Sequence, residues 1–174
     1  MRQAKGAIHV KAMKWSNIIV LALIAHTFST DSALAGCTDP GEPGVNWRRC
    51  YFERQDLRNI RLNDAKLRDA SFSRADLTGA DLSGTDAFRA KFISTRMAGA
   101  KFDGARLLEA DFTKADLSKA SFRDTDLRRA KLFRVNLRSA NLTGARMRGA
   151  DLHYADLSGA TWVDGKKICA EGSI

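Results

Sequence analysis

The chain has 174 residues, enough for one domain plus a targeting segment, and carries 29 Lys or Arg against 20 Asp or Glu, a formal charge of +9. It holds three His and three Cys, and after residue 35 only one His remains, His153. There is no Cys/His ligand spacing, no phosphate-cradling Gly loop and no nucleophile–base pattern, which excludes the common metal, nucleotide and hydrolytic chemistries. The expectation is a non-enzyme without cofactor or metal.

In chain order, residues 16–30 read SNIIVLALIAHTFST, an apolar run preceded by Lys11 and Lys14. Its uninterrupted part, residues 18–25, is eight residues long, too short to span a bilayer but suited to the apolar core of a secretory signal. Residues 1–35 are therefore expected to be a signal peptide. Met13 is an alternative start, because Met13, Lys14 and Trp15 open such a segment naturally. Ala33, Leu34 and Ala35 have the small-x-small form that places cleavage between Ala35 and Gly36 and the mature chain in the periplasm. The stretch Leu34, Ala35, Gly36, Cys37 also resembles a bacterial lipobox, and on that alternative Cys37 carries lipid and anchors the chain to a membrane. Residues 26–32, including Asp31, separate it from the apolar run, which favours soluble cleavage. Removal of residues 1–35 takes away four Lys or Arg and one Asp, lowering the formal charge from +9 to +6.

Three cysteines in an exported chain make one bond and one remainder. Cys37 and Cys50 are close in sequence and are expected to staple an N-terminal cap, residues 36–44, for about 3 kcal/mol. Cys169 is left over. Lipid on Cys37 and a bond to Cys50 exclude each other.

Residues 45–164 divide into 24 pentapeptides without an insertion. Their first position is mostly Ala, as at 65, 70, 75, 80, 90, 100, 105, 110, 115 and 120, and the third is large and apolar, as at Leu77, Leu82, Phe92, Met97, Phe102, Leu107 and Phe112. In an α-helix five residues turn through about 500°, so each third position drifts about 140° from the last and no buried face forms. In an extended strand an odd period alternates between faces. A chain that bends once per pentapeptide turns every third position toward one axis, with Ala at a crowded inward corner. The remaining positions are rich in Asp, Arg, Lys, Ser, Thr and Gly, which suit solvent and turns.

The segments ADLTG, ADLSG, ADLSK, ANLTG and a second ADLSG at residues 155–159 match the signature A(D/N)Lxx, and on them the sequence resembles the pentapeptide-repeat family. The resemblance implies an all-β solenoid, a right-handed quadrilateral β-helix with four pentapeptides per coil and hence about six coils. Phe52, Phe72, Phe92 and Phe112, opposed by Phe102 and Phe122, would then form two aromatic ladders across the core. A solenoid buries its core only by stacking, so both ends need covers. The stretch GCTDPGEPG is expected to cap the start, and Trp162 with the tail 165–174 to close the end.

The rhythm stumbles at TDAFR, where Ala87 holds a large-residue slot and Phe88 a mostly polar one. Ala87 is explained by volume, since its coil also packs Phe92, Met97 and Phe102 inward. Phe88 is not explained that way. With sides assigned in order from Val45, the first side carries ten Lys or Arg against four acids, the second a charge of +3, the third 0 and the fourth −2. The fourth-position column of the first side reads Arg48, Arg68, Phe88, Leu108, Arg128, Arg148, with Ile93 and Phe133 around the corner on the second side. Apolar residues bracketed by arginines on a flat wall form a candidate binding patch.

Two functions follow for comparison. One is a non-catalytic binding or scaffold protein of the cell envelope whose basic side contacts an unknown protein or anionic envelope component. The other is implied by the resemblance, since some family members mimic DNA and bind gyrase, protecting it from quinolones. That role requires an acidic surface and a cytoplasmic target, and this chain is basic and expected to be exported. Direct nucleic-acid binding is disfavoured because no base-reading element is identified. Membrane contact is expected only with a lipidated Cys37, and pairing between copies is left open.

Overall fold

The structure is a computed structural model and describes residues 36–172. The expected signal segment, with Ala35 at its cleavage point, lies outside the described residues.

The second residue of each pentapeptide pairs in parallel with the residue twenty positions on: Asn46 with Lys66, Tyr51 with Ser71, Asp56 with Asp76, Arg61 with Asp81, and so to Asn141 with Thr161. A constant offset of twenty requires four pentapeptides per coil and therefore four sides, and the 24 pentapeptides complete six coils. At about 4.8 Å per coil the stack stands about 29 Å tall. The four sides start at Val45, Cys50, Gln55 and Ile60 and recur every twenty residues.

Local backbone chemistry makes the corners. In each pentapeptide the third residue's carbonyl accepts from the N–H three residues later, as in Ala65 to Leu62 (3.0 Å) and Ala80 to Leu77 (3.0 Å). The fifth residue of the turn adopts a positive φ, for example 58° at Asp64, 69° at Gly79 and 59° at Lys119. Between coils the second-, third- and fifth-position N–H groups pair along the stack: Lys66 donates to Val45 O (2.8 Å), Leu67 to Asp86 O (2.8 Å) and Asp69 to Phe88 O (3.0 Å). Most backbone polar groups of the inner coils are thereby paired without a long strand, and several fourth-position N–H groups donate instead to a second-position carboxylate, as Thr78 does to Asp76 Oδ1 (3.1 Å).

First and third positions face the axis. Leu62, Ala65, Leu67, Ala70, Phe72 and their successors as far as Leu142 are buried in one continuous core. Phe52, Phe72, Phe92 and Phe112 stack with ring centroids 4.9–5.3 Å apart, and Phe102 and Phe122 stack at 5.1 Å on the opposite side. The two ladders meet edge to face, at 6.0 Å for Phe92 and Phe102, the arrangement ring quadrupoles favour. At TDAFR the volumes are exchanged, with the larger Thr85 in the Ala slot and the smaller Ala87 in the Leu slot, both buried. Thr85, Thr95 and Thr125 bring hydroxyls inside, and each donates to a backbone carbonyl, of Leu82 (2.8 Å), Phe72 (2.9 Å) and Phe102 (2.7 Å).

The two ends differ. At the start, Cys37 is disulfide-bonded to buried Cys50, Trp47 Nε1 donates to Asp39 O (3.3 Å), and Gly44 N–H donates to Asn63 O (2.9 Å). Gly41 lies so close to Ile60 and Trp47 that a Cβ there would collide with both. The tail does not plug the other end as expected. It reverses at Gly165 (φ 68°) and runs antiparallel along the fourth side, pairing Ile168 with Thr161. Cys169 donates to Ala160 O (2.9 Å) and Trp162 to Lys167 O (2.8 Å). These bonds satisfy the fourth-side edge and leave Met147, Ala150, Leu152 and Leu157 only partly buried beneath the other three sides.

Candidate functional site

The first side is built from the segments at 45–49, 65–69, 85–89, 105–109, 125–129 and 145–149. The coil spacing brings Arg48, Arg68, Phe88, Leu108, Arg128 and Arg148 into one column, as the period requires. Phe88 and Leu108 sit on adjacent rungs of that column, each with its own arginine neighbours.

Phe88 is half-buried, and three guanidinium groups lie by its ring: Arg68 at 5.8 Å, Arg89 at 5.6 Å and Arg106 at 5.6 Å from the centroid. The same arginines are oriented by acids. Asp86 accepts from Arg68 Nε at 2.6 Å and faces Arg106 at 3.7 Å, while Asp69 pairs with Arg89 at 3.2 Å. Phe88 is thus the hydrophobic floor of an arginine cluster. Stacking preorganises planar guanidinium groups that can meet a carboxylate or phosphate in bidentate fashion.

One coil on, Leu108 is half-buried and faces a depression that it lines with Arg128, Arg129, Arg148 and Gly149. Arg128 forks onto Asp126 with two bonds of 2.8 Å, and Arg146 reaches the same carboxylate at 3.2 Å. Hydrogen bonding from Arg128, assisted by Arg146, holds the Asp126 carboxyl below the usual carboxylate range, and the Arg128 guanidinium is raised in return. Every acid of the first side is matched by at least one arginine, so the surplus of cations survives pairing. Arg48, Arg49, Lys66 and Arg148 make no ion pair among the described residues.

Ile93 and Phe133 occupy one column of the second side but are two coils apart, with Thr113 between them. Phe133 belongs to a third group, meeting Tyr154 edge to face at 5.7 Å, with the Arg134 guanidinium 5.3 Å from one ring and 5.6 Å from the other. Arg89, Arg106, Arg129, Arg134, Tyr154 and Gly149 were not singled out as site residues by column reading. Adding the neighbouring fifth-position and second-position columns at the same twenty-residue offset finds all of them. Among the described residues no group of three His, Cys, Asp or Glu is placed to hold a metal ion. His153 is exposed, with Nδ1 2.6 Å from Asp151.

The family model described as pentapeptide repeats matches residues 46–84, 90–129 and 130–161, in eight copies, more than half of the chain. No curated protein matches the sequence. Among solved structures, HetL, a pentapeptide repeat protein involved in heterocyst differentiation regulation from the cyanobacterium Nostoc sp. strain PCC 7120, is 30% identical over 72% of this chain and 71% of its own, with a TM-score of 0.49. A trypsin-treated form of QnrB1, a plasmid-mediated fluoroquinolone resistance protein, is 25% identical over 68% of this chain and 70% of its own, with a TM-score of 0.55. Rfr23 from the cyanobacterium Cyanothece 51142 shares the fold at a TM-score of 0.55, with 20% identity over 67% of this chain and 90% of its own. Such proteins wind as right-handed quadrilateral β-helices, the architecture that the twenty-residue offset builds here. The chain belongs to the pentapeptide repeat family.

Proposed function

We propose that the protein is a non-catalytic binding or scaffold module of the cell envelope that meets its partner through the first side. The observation that carries this reading is the first side's surplus of cations, ten Lys or Arg against four acids, arranged around the half-buried apolar residues Phe88 and Leu108. The constant twenty-residue register repeats the cation-bearing positions of this side from coil to coil, so an anionic polymer or an acidic protein surface is the complementary partner. Export to the periplasm is part of the proposal. The apolar run at residues 18–25 and the bond between Cys37 and Cys50 support it, since disulfides persist in oxidising compartments. With Cys37 bonded, its sulfur is not free to carry lipid, so the soluble form is the one proposed. The gyrase-binding role implied by the family resemblance is not proposed, because DNA mimicry needs an acidic face and this side is basic.

The experiment is a comparison of matched charge reversals on an anionic polymer column. Arg48→Glu with Arg148→Glu alters the first side, and Lys119→Glu with Arg123→Glu makes the same net change on the third and fourth sides. The first pair should lower the eluting salt concentration well beyond the second. Equal shifts would mean that net charge alone governs binding, and the first side would lose its role.

A further inference from the structure

The first side ends differently from the way it runs. Its fifth-position column reads Arg49, Asp69, Arg89, Glu109, Arg129, Gly149. Within it Arg89 sits on Asp69 at 3.2 Å and Arg129 on Glu109 at 3.4 Å. The last first-side pentapeptide, ARMRG at 145–149, contains no acid, and Gly149 supplies no side chain beneath Arg129. A Cβ built on Gly149 meets only Arg129 Cγ, at 3.6 Å, so the space there is open.

That space is the depression of about 420 Å³ lined by Leu108, Arg128, Arg129, Arg148 and Gly149, and its wall is mostly apolar. Leucine and the methylene stems of three arginines supply that wall, with guanidinium groups around it. Arg128 and Arg129 are engaged with Asp126 and Glu109, whereas Arg148 makes no ion pair among the described residues. The backbone adds donors. One coil earlier Leu127 N–H donates to Arg146 O (2.9 Å) and Arg129 N–H to Arg148 O (3.1 Å). The equivalent groups of Met147 and Gly149 have no acceptor among the described residues, because the tail bonds to the third and fourth sides and does not reach the first. They point past the last coil beside Arg148.

We propose that this corner binds a small amphiphile with one phosphate or carboxylate head and an alkyl body. The head meets Arg148 and the free N–H groups of Met147 and Gly149, and the alkyl body lies in the depression against Leu108. Neither half suffices alone. A bare anion leaves the apolar wall wet, and a neutral amphiphile leaves the donors and Arg148 uncompensated. This inference rests on the first side being the binding side, and it names the ligand chemistry at its C-terminal corner.

The test is calorimetric titration of the full chain with octyl phosphate below its micelle concentration, alongside octyl glucoside and inorganic phosphate. Octyl phosphate should bind once per chain and at least tenfold more tightly than either of the others. Arg148→Gln should weaken it at least tenfold, Leu108→Ser should erase the advantage of octyl over butyl phosphate, and Arg123→Gln on the fourth side should change nothing. All three residues are surface positions, and thermal melts confirm that each variant folds. Equal binding of octyl glucoside, several molecules per chain, or an unchanged Arg148→Gln variant would overturn the proposal. So would binding to anionic phosphatidylglycerol vesicles without binding to octyl phosphate. If octyl phosphate fails while the matched charge reversals still separate the sides, the corner site falls and the first-side reading stands. If both fail, both fall.

Discussion

Truncating Leu117 to Ala tests the inward register and the rigidity of the stack together. Leu117 is fully buried in the fourth coil, in one column with Met97 and Leu137, which are also fully buried. Losing three carbons forfeits about 2.4 kcal/mol of transfer free energy at about 0.8 kcal/mol per CH₂. The walls cannot fall in to fill the gap, because Leu117 N–H is bonded to Asn136 O (2.8 Å) and Asp116 N–H to Thr95 O (3.0 Å), fixing the coil from both neighbours. The total should therefore lie in the upper half of the range of about 2–5 kcal/mol seen for such truncations. The same change at Leu152, half-buried on the open last coil, should cost less than half as much. Equilibrium denaturation in urea, with the slope held common, measures both. A loss below about 1.5 kcal/mol at Leu117, or equal losses at the two sites, would refute the reasoning.

Chain purified from a bacterial envelope should begin at Gly36 and weigh two hydrogens less than its reduced form, and reduction should lower stability by about 3 kcal/mol. A start at Cys37 with added acyl mass, or a melt indifferent to reductant, would contradict this. Gly99→Val should destabilise by about 1–2 kcal/mol although no atom lies within 4 Å of the new Cβ, because φ there is 69°. An unchanged melting temperature would remove the backbone term. Stability should hold steady from pH 8 to about pH 5 and fall as acid is added below about pH 4. Hydrogen bonds from Arg128 at Asp126, Thr78 at Asp76 and Ser158 at Asp156 hold these carboxyls below their ordinary values, and Arg58 holds that of Asp56 down to about 2. Carboxyls lowered by folding stabilise above the unfolded value and lose that contribution as pH drops through the folded one. A main transition between pH 5 and 7 would contradict the assignment.

The solenoid was legible because its period is a physical constraint. Only a bend every five residues sends Leu77, Leu82 and Phe92 to one axis; the period does not fix four sides, which the family resemblance implies and the opposed columns at Phe92 and Phe102 support. The swap at Thr85 and Ala87 was half legible. Ala87 is read from core volume, whereas Thr85 is understood only once its hydroxyl is seen on Leu82 O. The site was less legible. A single column places Phe88 and Leu108 next to each other, but the guanidinium groups at Phe88 arrive from three columns, through Arg68, Arg89 and Arg106. The end of the stack misled because VDGKKICAEGSI looks like a plug. Gly165 instead turns it back on the fourth side, where antiparallel bonding to Ala160 and Trp162 satisfies an edge that a plug would leave open.

The most direct test of the central claim is site-specific photo-crosslinking in the living envelope. A benzophenone side chain at Leu108 on the first side is compared with one at Ser118, a fourth-position residue of the same coil on the third side. The account predicts one discrete adduct from position 108 that disappears in the Arg48→Glu, Arg148→Glu background, and none from position 118. Equal adducts from both positions, or an adduct from position 118 alone, would contradict a partner held by the basic first side.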